Sequence, residues 1–162
     1  NKEALSRVLK SNGIVYRNYT AEFGARQTEK CYLSPKGYLD FNKFVKSDRF
    51  ESGYQNVLTG IDRGYTYVLM CAETDPIDCH RSIMIGREFY KRGFEVKNIL
   101  KSGEILLQGE LEKRLLDMYF STRDQFSIFH DNKDDGQLIK EAYDLKNEEI
   151  GYKDESESIN YG

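Results

Sequence analysis

Apolar positions along this chain recur in two rhythms. Ala4, Leu5, Val8 and Leu9 stand three and four apart, which predicts a helix over residues 2–12. Gly13 suits the left-handed position after it. The stretch 14–19 (IVYRNY) then alternates apolar and polar as a strand does. Helical spacing returns at Tyr38, Phe41, Phe44 and Val45, predicting a short helix over 38–47. A second stripe, Phe50, Tyr54, Val57, Leu58 and Ile61, predicts a helix over roughly 50–63, ended by Gly64. These aromatics are read as core packing.

From Thr66 to Ala72 the chain is almost continuously apolar and β-branched, as in a strand buried on both faces of a parallel sheet. A helix over 79–92 follows, stopped by Arg92-Gly93, and then a strand over 95–100. Strand, helix, strand in this order predicts a right-handed parallel crossover. Residues 105–107 read as a short extra strand or turn. Leu111, Leu115, Met118 and Tyr119 mark a helix over 109–121. Leu138, Ile139, Ala142, Tyr143 and Leu145 mark one over 136–149, able to dock on the body or on a partner. Residues 151–162 read as frayed. The expected architecture is α/β: a mostly parallel sheet flanked by helices, Rossmann-like and three-layered, over residues 1–121. An acidic helical extension covers 122–162.

Charge sharpens that division. Residues 122–162 carry 5 Lys and Arg against 11 Asp and Glu, leaving 19 against 16 in residues 1–121. A body of net +3 is no strong nucleic-acid footprint, although it leaves room for an anionic ligand in one pocket. The 162 residues suit one domain, and no apolar run approaches the ~20 residues that span a bilayer. Three cysteines and no secretion signal point to a reducing cytoplasm. No cofactor and no oligomeric state is legible.

The densest chemistry lies in eleven residues, Cys71 to Arg81, between the predicted strand and helix. Asp75 with Pro76 after it, or alternatively Asp78, can cap that helix. Either choice puts Cys79, His80 and Arg81 in its first turn, where free amides favour an anion. Arg81 is then a phosphate or carboxylate ligand, His80 a proton carrier, Glu73 a general base, and Cys79 a nucleophile or an orienting thiol. Cys71, inside the strand, and Cys31, in a loop, read as inert. Zinc is the rival. Its ligands would be Cys71, Cys79 and His80, with His130 the one other histidine. Yet adjacent residues on a helix point about 100° apart, so no metal is assigned. The phosphatase spacing of Cys and Arg is absent. Residues 20–37 form a long connection after a strand, and its polar group Glu22, Gly24 and Arg26 is a second edge for the same site.

Cys71-Ala72-Glu73, Pro76 and Cys79-His80-Arg81, opening a helix, resemble the domain of unknown function 488 family. Glu22-Phe23-Gly24-Ala25-Arg26 resembles that family's Glu-Leu-Gly-Gly-Arg segment, departing from it at Phe23 and Ala25. Residues 142–152 resemble a segment of some members. Family members begin with a strand ending in an Asp-Val-Arg-like tripeptide, ahead of the helix at 2–12. This chain starts after that strand. The resemblance implies a mostly parallel α/β domain with a polar site at its strand ends, and supplies no reaction. The sequence therefore reads as a cytoplasmic enzyme for an anionic, phosphorylated or nucleotide-like substrate. The alternatives are a non-catalytic nucleotide or nucleic-acid binding module, and a partner-docking scaffold.

Overall fold

The computed structural model describes residues 2–121 and 134–153. Helices dominate it: α1 (Lys2–Ser11), α2 (Thr20–Phe23), α3 (Phe41–Phe44), α4 (Asp48–Asp62), α5 (Arg87–Lys91), α6 (Gln108–Tyr119) and α7 (Asp135–Ile150). A wide π-helical stretch, Arg81–Gly86, runs directly into α5. Strands β1 (Lys97–Ile99) and β2 (Ile105–Leu107) form a two-stranded antiparallel hairpin, with Asn98 opposite Leu106. No helix among the described residues is long and apolar enough to cross a membrane.

The mostly parallel, Rossmann-like sheet expected from the sequence is therefore not present among the described residues, which hold only this antiparallel pair. Residues 14–19 and 65–71, expected as strands, carry no regular secondary structure, and neither joins a ladder among the described residues. The continuous apolar run does not mark burial on both faces. Tyr67 and Leu69 pack inward, while Val68 is 66% and Met70 63% exposed. The strand over 95–100 turns back through Gly103 (φ 87°) onto residues 105–107, so its partner is antiparallel and local rather than a parallel crossover.

The helices are better forecast, and their ends have local causes. Ser47 accepts the Phe50 amide at 3.1 Å to start α4, and Asp40 accepts the Lys43 amide at 3.1 Å to start α3. α3 is only one turn long, shorter than the expected helix over 38–47. The long connection 20–37 contains α2 and a turn of 3₁₀ helix at Lys30–Tyr32. α2 lies close on α4 because residue 53 is glycine: a Cβ there would stand 2.5 Å from that of Glu22.

The core fills the space between α3, α4, the helix at 81–91, α6 and α7. Leu39, Phe44, Phe50, Leu111 and Leu115 are fully buried in it. Each such side chain contributes about 1.5–3 kcal/mol by leaving water. Phe23 meets Phe50 edge-on at 5.2 Å, and Phe89 meets Phe94 at 5.6 Å. α7 belongs to this core through Ala142 and Tyr143. A buried polar chain ties the elements together. Ser82 donates to Asn98 at 2.6 Å, Asn98 to Gln108 at 3.0 Å, and Gln108 to the Tyr143 hydroxyl at 2.9 Å. α1 follows its predicted span to Ser11 but buries no residue. The frayed end expected at 151–162 lies, beyond residue 153, outside the described residues.

Candidate functional site

The turn between the apolar run and the helix is fixed at both ends. Asp75 accepts the Ile77 amide at 3.0 Å, with Pro76 at the first position of a short 3₁₀ turn, Pro76–Asp78. Neither of the two caps the sequence allowed starts the main helix: Asp75 caps only this short turn, and the helical stretch Arg81–Gly86 begins after His80 with no side-chain cap. Its carboxylate also meets Arg114 of α6 in a two-pronged pair, at 3.2 and 2.9 Å. Asp78 instead pairs at 2.7 Å with Lys146 of α7, whose side chain is only 6% exposed. Helices α6 and α7 thus each hold one carboxylate of the turn.

Cys79 is the last extended residue (φ −114°, ψ 125°), and the helical backbone begins at His80 (φ −55°, ψ −28°). The Cys79 carbonyl accepts the Ser82 and Ile83 amides at 3.0 and 2.9 Å. The sequence argument that Cys79 and His80 diverge by a helical step therefore does not apply. One ligating atom each from Cys71, Glu73, Cys79 and His80 lies within 4.8 Å of all the others. Cys71 Sγ stands 3.3 Å from His80 Nδ1, and the Cys79 thiol donates to Glu73 Oε2 at 3.4 Å.

Burial sets the electrostatics. Cys79 is wholly buried, which pushes its thiol up to about 12, against the pull of the Arg81 backbone amide and guanidinium. Burial also raises Cys71, helped by the nearby Glu73 carboxylate. His80 is lowered by burial, with Glu73 opposing, so its ring is neutral at pH 7. For Glu73, partial burial works upward, but hydrogen bonds from Cys71, its own amide and Cys79 hold it below the usual carboxylate value.

The structure gathers Glu73, Cys79 and His80, and adds Cys71, which the sequence reading set aside as inert. The signal for Cys71 is its phase: it follows Tyr67 and Leu69 as the half-buried positions of the apolar run. Arg81 opens the helix half-buried, and among the described residues its guanidinium has no carboxylate partner. Arg114 and Lys146, which brace the turn, lie too far along the chain for any local pattern to reveal them. Glu22 packs where Gly53 makes room, and Arg26 stands 5.7 Å from the centre of the Tyr152 ring. Gly24 closes α2, where Gln27 donates to its carbonyl at 3.0 Å. Among the described residues no hydrogen bond or ion pair joins Glu22, Gly24 or Arg26 to the Cys71–Arg81 turn. His130 lies outside the described residues.

Residues 1–87, more than half of the chain, match the family described as Domain of unknown function DUF488. No curated protein and no solved structure matches the chain.

Proposed function

The chain belongs to the DUF488 family, and from that premise we propose that its Cys71–Arg81 turn binds an anionic, phosphorylated or nucleotide-like substrate and acts on it. The observation that carries the reading is Arg81. A half-buried guanidinium with no carboxylate partner among the described residues, next in the chain to a cluster of thiol, imidazole and carboxylate groups, supports a role as an anion ligand. The Arg81 side chain would hold the phosphate or carboxylate group. Glu73, which is exposed, and His80, which is half-buried, would move protons. Cys79, wholly buried, serves as an orienting thiol rather than a nucleophile.

Calorimetric titration with inorganic phosphate and with a nucleoside monophosphate tests this. Wild-type protein should bind at least one of them, and Arg81→Ala should weaken that binding about tenfold or more. Equal binding by Arg81→Ala, with its fold intact by circular dichroism, would remove Arg81 and the reading with it.

A further inference from the structure

We propose that Cys71, Glu73, Cys79 and His80 together form a binding site for a soft divalent cation of the zinc class. The argument is geometric. Tetrahedral zinc, with bonds of about 2.3 Å to sulfur and about 2.0–2.1 Å to nitrogen or oxygen, sets neighbouring ligand atoms about 3.3–3.8 Å apart. Here Cys71 Sγ and His80 Nδ1 are 3.3 Å apart, and Cys79 Sγ and Glu73 Oε2 are 3.4 Å apart. The widest separation in the set is at most 4.8 Å. The four atoms already approximate the edges of such a tetrahedron, and rotamer adjustment by about an ångström completes it.

The donor set selects the metal. Two sulfurs and an imidazole suit zinc and its neighbours, whereas magnesium and calcium take oxygen ligands. Cys71, Cys79 and His80 sit in half-buried or buried positions that limit their freedom, and Glu73 is the exposed ligand. On binding, each thiol gives its proton to solvent, and the two thiolates and the carboxylate bring three negative charges against two positive ones. The Arg81 backbone amide and guanidinium favour the Cys79 thiolate from outside the ligand shell. The turn is braced for this by the Asp75–Arg114 and Asp78–Lys146 pairs.

This inference shares the location assigned to the anion, and Glu73, Cys79 and His80 with it, but not Arg81. Where the cation is bound, Glu73, Cys79 and His80 act as its ligands, and Arg81 alone remains for the anion.

The test uses the full chain, reduced and stripped with a chelator, then titrated with Co2+ and with Zn2+. Wild-type protein should take up one ion, and the cobalt form should show sulfur-to-metal charge-transfer absorption with visible bands of tetrahedral intensity. Cys71→Ser, at the half-exposed ligand, should weaken binding by more than about 100-fold, the upper figure for an outer-shell loss serving as the floor for a ligand. Glu73→Gln should weaken it less and keep the charge-transfer band. Cys31→Ser, at an exposed thiol outside the cluster, should change nothing. Cys79→Ala risks misfolding, so the conclusion rests on the Cys71 and Glu73 variants. Absence of the charge-transfer band in wild type, or equal affinity in Cys71→Ser, overturns the proposal. Neither result bears on phosphate binding, which Arg81→Ala tests separately.

Discussion

Asn147 of α7 holds the backbone at Phe41 from across the molecule. Its side-chain carbonyl accepts the Phe41 amide at 2.8 Å, and its amide donates to the Leu39 carbonyl at 2.8 Å. Both bonds are buried, and they make α7 a structural partner of the chain that leads into α3.

Asn147→Ala should therefore destabilise the protein substantially. It leaves a buried N–H and a buried C=O without partners, at about 1–3 kcal/mol for each group. The free energy of urea unfolding gives the value. A loss under about 0.5 kcal/mol, the range of an ordinary surface substitution, would show that α7 is not anchored there.

Alkaline pH should loosen the contact between α6 and α7. The Tyr143 hydroxyl accepts from Gln108 at 2.9 Å and lies 3.3 Å from Glu112, while Arg87 stacks at 3.9 Å from the ring centre. Burial, then the Glu112 carboxylate, raises this phenol above its usual value. The folded state thus holds the proton more tightly than the unfolded state, whose phenol titrates near ~10. Its contribution is complete below about pH 10 and declines as pH rises beyond that. Tyr143→Phe should cost about 1 kcal/mol at pH 8 and flatten the alkaline decline. Urea midpoints at pH 8 and at about pH 10.5 decide it; parallel declines in the two proteins would contradict the assignment.

The three thiols should alkylate in the order Cys31, Cys71, Cys79 in metal-free protein. Cys31 is exposed, Cys71 half-buried and Cys79 wholly buried, and the buried sulfur has no path to a reagent without local opening. Mass spectrometry after timed exposure to iodoacetamide reads the order. Cys79 reacting first would show that the turn opens readily, and would restore it as a nucleophile.

Periodicity revealed α4, α6 and α7 because each has an apolar stripe that is buried in the fold. It misread the sheet for a physical reason. An apolar run reports the preference of each residue for leaving water, not whether a neighbouring strand exists to receive it. Val68 and Met70 look like core residues by type and stand in solvent. Three of the four clustered groups, Glu73, Cys79 and His80, were named from the sequence. Cys71 was missed through that same strand reading, and the approach of Cys79 to its neighbours was missed through assuming a helical backbone there. Lys146 with Asp78, and Asn147 with Leu39, join positions far apart in the chain, and such pairs leave no spacing to find.

The exposed apolar run at 65–70 carries a consequence for how the protein behaves in a test tube. Tyr65, Val68 and Met70 present apolar side chains on a backbone with no ladder partner among the described residues, which is a template on which further chains can stack edge to edge. Concentrated stocks should thicken into β-rich aggregate over time, faster at high salt, where repulsion between like-charged molecules is screened. Because Val68 and Met70 face outward, a lysine at either position should act as a gatekeeper, prolonging storage without disturbing the interior.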